Sequence, residues 1–485
     1  MSDRMRGEEC GVVAVLHGDG DAIPAALLGL HALQHRGQES AGLAWRCGPT
    51  GRLDLHRGMG LVAQVFARPP ALMAGPAAIG HTRYSTFGSS RLENAQPFVV
   101  AGPHGEVALA HNGHLLDVNP LARLLQELNA TVPAATDSAV LAAAIAHAPG
   151  ADWAERIGWA LERVTGSYGL TILTSEGLYA ARDPLGNRPL CLGRLPGGWM
   201  AASESCAFLT AGADYLREVA PGEIVRLDPA GPRTVGWTTP RAGARAAAFC
   251  SFEYIYLARA DSRFGERTVY AARQEMGRLL AAEHPVEADL VAGVPDSGNA
   301  AALGYAAAVG IPFGEALIKN RYIGRTFIHP GVAARGRALA LKFTPLATVV
   351  AGKRLVLVDD SLVRGATMRA LVALLKGAGA AEVHLRIASP PVRCPCFFGV
   401  DIPTPGELIA HDVDDPAEIC RQIGADSLGY LSLAALAAAT GASPDGASLC
   451  TGCFTGRYPV ALPWLAAPDI APLQPAAIAT PQAVG

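Results

Sequence analysis

No uncharged apolar run in this chain is long enough to span a bilayer without prolines interrupting it. The first nine residues, Met1 to Glu9, carry charges but no apolar core, so they are neither a signal peptide nor a membrane anchor. A dominant charge sign is missing too. Forty Lys and Arg stand against 43 Asp and Glu, a formal net charge of −3, and no basic stripe stands out, which argues against nucleic acid as a partner. These absences predict a soluble, cytoplasmic protein. In that compartment the ten cysteines do not form a disulfide framework, so each must serve catalysis, metal or ordinary burial. At 485 residues there is enough chain for two or more domains, each with its own core.

The most informative stretch is Arg354-Leu-Val-Leu-Val-Asp-Asp-Ser-Leu-Val-Arg-Gly-Ala-Thr-Met368. Leu355 to Val358 read as a buried strand of a parallel sheet, ended abruptly by two carboxylates. Small, hydroxylated and glycine residues then lead into a helical pattern from Met368 to Leu375. A strand that delivers a loop to a helix N-terminus suits phosphate, because free N–H groups and the helix dipole point at the anion. Asp359 and Asp360 suit two ribose hydroxyls or a Mg²⁺ ion, while Ser361, Arg364, Gly365 and Thr367 suit a phosphate, with Ala366 contributing its backbone N–H. A phosphorylated ribose satisfies both halves.

Earlier in the chain, Cys10 leads a strand-like run, Gly11 to Leu16. Polar, glycine-containing islands follow between apolar runs: Leu33 to Gly42, Gly80 to Gly88, His111-Asn-Gly-His114 and Thr136-Asp-Ser138. Thr238 to Ala247 is rich in small residues and marks a domain boundary. Val291 to Gly298 is a second strand, loop and helix, and Lys319 to Pro330, extended by Arg335 and Lys342, is the densest cationic stretch. Cys450-Thr-Gly-Cys453 is a C-x-x-C pair. With Cys250 and Cys396 it makes four thiolates, which suit either zinc or an iron–sulfur cluster; spacing alone does not choose.

VDDSLVRGAT resembles the phosphoribosylpyrophosphate loop of type I phosphoribosyltransferases, in the form found in the amidophosphoribosyltransferase family. The resemblance runs in order from Cys10 to Pro459, and the N-terminal islands are similar to those of N-terminal-nucleophile glutamine amidotransferases. It implies a four-layer αββα glutaminase domain at 10–240, after a propeptide at 1–9. A type I phosphoribosyltransferase domain with a mainly parallel sheet follows at 241–460, then an Ala/Pro-rich tail at 461–485. By family position Cys10 attacks the glutamine amide with its own freed α-amino group as base, Asn112 and Gly113 form the oxyanion hole, and Arg83 and Asp137 hold the α-carboxylate and α-ammonium groups. Ser297 joins Asp359 and Asp360 at Mg²⁺, and Lys319, Arg321, Arg335 and Lys342 belong to a loop that closes over pyrophosphate.

The resemblance also implies one [4Fe–4S] cluster per subunit on Cys250, Cys396, Cys450 and Cys453, with Cys394 the competing ligand. A homotetramer inhibited by purine nucleotides is expected. Two positions depart from the family pattern, Ala366 for a usual Thr and Ala139 for a usual acid. A sugar-phosphate amidotransferase would share the first half but not VDDSLVRGAT. A phosphoribosylpyrophosphate-sensing regulator would have no use for Cys10, Arg83, Asn112 and Asp137. The implied activity is hydrolysis of glutamine and transfer of its ammonia to phosphoribosylpyrophosphate.

Overall fold

The computed structural model describes residues 10–462 except 19, 49–50, 71–72, 85–90, 241–242, 246, 321–341, 403, 444–445 and 447. The expected propeptide, the greater part of the tail, and Arg321 and Arg335 lie outside the described residues.

From Gly11 to Trp237 the chain builds two antiparallel sheets, one of seven strands and one of six. Strand Gly11–His17 pairs with Ala77–Arg83 on one side and Gly198–Ala202 on the other, inside the seven-stranded sheet. Strand Gly105–Asp117 lies within the six-stranded sheet, paired with Phe98–Gly102 and Thr165–Thr174. The two sheets stack through Val12, Ala14, Leu16, Ile79, Ala108, Ala110, Leu173 and Ala180. On the opposite face of the first strand, Val13 and Val15 pack with Ile23, Ala26 and Leu30 of helix Ile23–Ala32. Both faces are covered, which is why Gly11–Leu16 shows no polar alternation. Helices Asn119–Glu127, Asp137–His147 and Trp153–Leu161 cover the outer face of the six-stranded sheet. The result is the four-layer αββα sandwich.

The second half holds a four-stranded parallel sheet in the order Leu290–Gly293, Arg354–Asp359, Glu382–Ile387, Ser427–Tyr430. Alternate residues of the second strand go to opposite cores. Val356 and Val358 face helices Val269–Glu283, Asn299–Val309 and Leu433–Thr440, while Leu355 and Leu357 face Ala366–Gly377 and Pro416–Ile423. Helices Val269–Glu283 and Asn299–Val309 approach so closely that a Cβ on Gly277 would lie 1.8 Å from the Ala301 carbonyl oxygen, and one on Gly304 1.9 Å from that of Gln274. Among the described residues no helix is long and apolar enough to cross a membrane.

Candidate functional sites

Cys10 is buried and precedes strand Gly11–His17, whose Gly11 pairs with Thr82; the same register carried back one step sets Cys10 beside Arg83. Arg83 ends its own strand, buried, with Glu39 at 3.7 Å. His81 crosses between the sheets, its Nε2 lying 3.1 Å from the His111 carbonyl oxygen. That contact brings His111-Asn112-Gly113 up to the end of the strand carrying Arg83. Asn112 is fully buried, and among the described residues neither its Nδ2 nor its Oδ1 has a hydrogen-bond partner. Gly113 has φ +149°, and a Cβ there would meet the Ser167 carbonyl oxygen at 2.1 Å, so no other residue fits.

Asp137 opens helix Asp137–His147 and accepts the N–H of Leu115 at 2.9 Å and of Ser138 at 2.7 Å. Burial works to raise its carboxyl, whereas the facing His111 and His114 rings and the two N–H groups hold it below the usual carboxylate range. Burial also pushes both imidazoles toward the neutral form, so the N–H donors are the dependable part. Ala139, where an acid was expected, is in the core; its N–H is capped by Thr136 Oγ1 at 3.2 Å, so no acid is needed to complete the helix start.

The sequence did not single out the ionic group beneath Cys10. Arg36 Nε donates to the Cys10 carbonyl oxygen at 2.8 Å, and its two other nitrogens reach Glu204 at 2.6 Å and Glu253 at 2.7 Å. Arg188 Nη1 approaches the same Glu253 at 3.4 Å. All four side chains are buried. Burial works to lower the Arg36 pKa, but the carboxylates overcome it and raise it well above the ordinary value. Glu204 is conversely held far below the carboxylate range, burial being outweighed by His35 and Arg36.

The second site lies at the carboxyl ends of two neighbouring parallel strands, where α/β sheets receive ligands. Asp360 is buried and Asp359 partly so. The Ser361 hydroxyl donates to Asp360 Oδ1 at 2.6 Å, and the Ser297 hydroxyl from the neighbouring loop also bonds this carboxylate. Burial and then mutual repulsion raise Asp359; burial raises Asp360 as well, against hydroxyl donors and Arg273. A carboxylate pair in that condition favours a cation or hydroxyl donors opposite it. Gly365, φ +73°, turns the chain into helix Ala366–Gly377.

Lys319 Nζ reaches Asp296 at 2.8 Å, beside Ser297. Lys342 lies over the Phe343 ring, 5.6 Å from its centroid. Arg364, expected at the phosphate, is instead turned onto Glu407 at 2.9 Å.

Cys250 pairs with Cys450 across a parallel bridge. Arg393 and Cys394 both donate backbone N–H to the Cys453 carbonyl at 2.9 Å. Cys396 Sγ accepts the Phe398 N–H at 3.3 Å. Burial pushes all four thiols up, and the charges of Cys250, Cys396 and Cys450 are felt at Cys453. Among the described residues, however, no three His, Cys, Asp or Glu side chains gather closely enough to hold a metal ion. Neither the expected Mg²⁺ site at Ser297, Asp359 and Asp360 nor the expected cluster site is a preformed single-ion cage.

Residues 81–210 match the glutamine amidotransferase domain family, and residues 272–388 match the phosphoribosyl transferase domain family. The chain is 47% identical over 468 residues to the amidophosphoribosyltransferase of Mycobacterium tuberculosis H37Rv, covering 94% of this chain and 87% of that protein. With the Synechococcus elongatus protein of the same name it is 48% identical over 464 residues, covering 94% and 92%. A solved structure, the glutamine phosphoribosylpyrophosphate amidotransferase from B. subtilis complexed with ADP and GMP, superposes with a TM-score of 0.85 at 42% identity, covering 93% of this chain and 97% of that one. With both sites on one chain and relatives matching along nearly all of it, this protein belongs to the amidophosphoribosyltransferase family.

Proposed function

We propose that Cys10, Asn112, Gly113, Arg83 and Asp137 make ammonia from glutamine, and that Asp359 to Thr367 with Ser297 and Lys319 hold the acceptor. The chain is a glutamine-dependent phosphoribosylpyrophosphate amidotransferase that yields 5-phosphoribosylamine, the first step of purine biosynthesis. In the first reaction the Cys10 sulfur adds to the amide carbon and its proton passes to the α-amino group of the same residue once 1–9 are removed. Ammonia leaves, and water releases glutamate. In the second, ammonia forms a bond to C1 of the ribose as the C1–O bond to pyrophosphate breaks, and the electron pair leaves with pyrophosphate. Asp359 and Asp360 orient the ribose, the N–H groups at the start of helix Ala366–Gly377 hold its 5-phosphate, and Lys319 faces the departing charge.

One observation carries the glutaminase half. Among the described residues the buried Asn112 carboxamide finds no partner for either polar atom, which is costly unless a polar ligand arrives. An oxyanion beside the Gly113 N–H is such a ligand. Arg83 meets the substrate carboxylate with a planar fork, and Asp137, held ionised, meets its ammonium group.

The residues also suit two inorganic groups. Mg²⁺ at Ser297, Asp359 and Asp360, bound largely through water and substrate oxygens, would ease the departure of pyrophosphate. Cys250, Cys396, Cys450 and Cys453 would hold a [4Fe–4S] cluster that stabilises the fold or acts as an oxygen-sensitivity switch, since neither half-reaction needs an electron. A single zinc ion would draw its sulfurs to about 3.8 Å apart. Metal analysis separates that ion from the cluster, and the Cys396 charge felt at Cys250, Cys450 and Cys453 favours Cys396 over Cys394 as the fourth ligand.

We place the division between the halves at 240/241, between the last sandwich strand, ending at Trp237, and Phe249. The chain is cytoplasmic and tetrameric in this reading, and purine nucleotides inhibit it, as the ADP and GMP bound by the B. subtilis relative suggest. The test is Cys10→Ala: it should lose glutamine-dependent pyrophosphate release and keep the reaction with high ammonia. Loss of both, or active enzyme found by mass spectrometry with Met1 to Glu9 attached, overturns the reading.

A further inference from the structure

Outside the residues assigned above, the buried groups least explained are the ones joining the two halves. Arg188 stands at their centre. Its Nη2 donates to the Phe398 carbonyl at 2.7 Å, two residues beyond Cys396, and its Nη1 lies 3.4 Å from Glu253, three residues beyond Cys250. The preceding residue, Asn187, accepts the Cys250 N–H at 3.1 Å through its carbonyl and donates its Nδ2 to Ala248 at 2.7 Å. Arg188 is thus tied to two of the segments that carry the cysteine pocket.

Each tie continues into the glutaminase site. On one side Glu253 takes two nitrogens of Arg36, at 2.9 and 2.7 Å, and Arg36 Nε holds the Cys10 carbonyl oxygen at 2.8 Å. On the other, the Phe398 carbonyl also receives the Ser167 hydroxyl at 2.6 Å, and Ser167 Oγ accepts the His114 N–H at 3.3 Å, next to Gly113. Gly399 completes this side. A Cβ there would fall 2.6 Å from Arg188 Nη2 and 3.2 Å from the Gly113 carbonyl carbon, so backbone lies against backbone directly behind the oxyanion strand.

We propose that Arg188 is a positioning residue that sets the nucleophile and the oxyanion hole relative to each other, using the cysteine-pocket segments as its anchor. One guanidinium bonded to both arms fixes the separation of the Cys10 backbone and the Asn112–Gly113 backbone. Displacing such groups by about 1 Å typically costs about 10²-fold in rate. Lysine carries all its donors on one nitrogen, so it reproduces this two-nitrogen fork poorly. The inference rests on the assignment of Cys10 and of Asn112–Gly113 made above.

The test compares Arg188→Met, Arg188→Lys and Ser167→Ala in the full-length protein with its metal content intact. Arg188→Met should lower kcat with glutamine at least 10-fold while changing KM for glutamine by less than 3-fold, and should leave ammonia-dependent transfer and KM for phosphoribosylpyrophosphate within 3-fold of the parent. Arg188→Lys should fall between the two. Should Arg188→Met not fold, Ser167→Ala, which cuts one arm only, must show the same split at smaller size. Folded variants in which the glutamine and ammonia reactions fall together, or in which neither falls, overturn the proposal. A Cys10→Ala control that still hydrolyses glutamine would sink the underlying site assignment whatever Arg188 does.

Discussion

Cys250 lies directly opposite Cys450 across a parallel bridge whose other pair is Phe249 and Leu449. Two thiols contributed by segments 200 residues apart therefore leave the same short ribbon side by side. Replacing Cys450 by Ser should remove most of the bound iron, measured per chain after anaerobic purification, and lower the thermal midpoint. Zinc rather than iron in the parent protein would refute the cluster assignment.

Asn112 separates activity from stability. Asn112→Ala should lower glutamine turnover by about 10²–10³-fold, the usual effect of losing one oxyanion donor. Because the carboxamide is buried without partners among the described residues, its removal should leave the unfolding free energy unchanged or higher. A urea titration showing clear destabilisation would mean that Asn112 is a structural residue.

The helix crossing at Gly277 and Gly304 has no room for a methyl group. Gly277→Ala must separate the helices and should cost about 1–3 kcal/mol by denaturant unfolding. Because helix Asn299–Val309 begins just after Ser297, KM for phosphoribosylpyrophosphate should rise as well. Unchanged stability would show that the helices shift freely.

Burial, assisted by the nearby Arg83 charge and opposed by the His111 carbonyl, pushes the His81 imidazole down to about 3. In the unfolded chain it titrates near 6.5, so below that pH the unfolded state binds a proton that the folded state refuses. Stability contributed by neutral His81 is present above about pH 6.5 and is lost as pH falls toward 3, at up to about 1.4 kcal/mol per pH unit. Thermal midpoints between pH 7.5 and 5 should therefore fall less steeply in His81→Gln than in the parent. Parallel curves would place the proton elsewhere.

What could be read from the chain follows from how local the information is. The strand Leu355–Val358, the acid pair and the helix after it occupy one contiguous string, so period and turn chemistry revealed them together, within two residues of the observed Arg354–Asp359 and Ala366–Gly377. Arg36, Arg188, Glu204 and Glu253 were invisible for the opposite reason. Nothing local to any one of them names its partners, and only a fold that joins positions 168 and 217 residues apart buries them as a set. Arg364 is a separate case. Its place in the motif suggested a phosphate ligand, but Glu407, 43 residues on, competes for the same guanidinium.

Gly399, pressed against the backbone of Gly113, bears on how such chains can be recombined. The residues that finish one catalytic centre are spelled out in the portion of the gene encoding the other. A chimera that grafts this glutaminase domain onto a foreign acceptor enzyme would carry Cys10 along but leave the strand of Gly113 without backing, unless the 396–399 segment travelled with it.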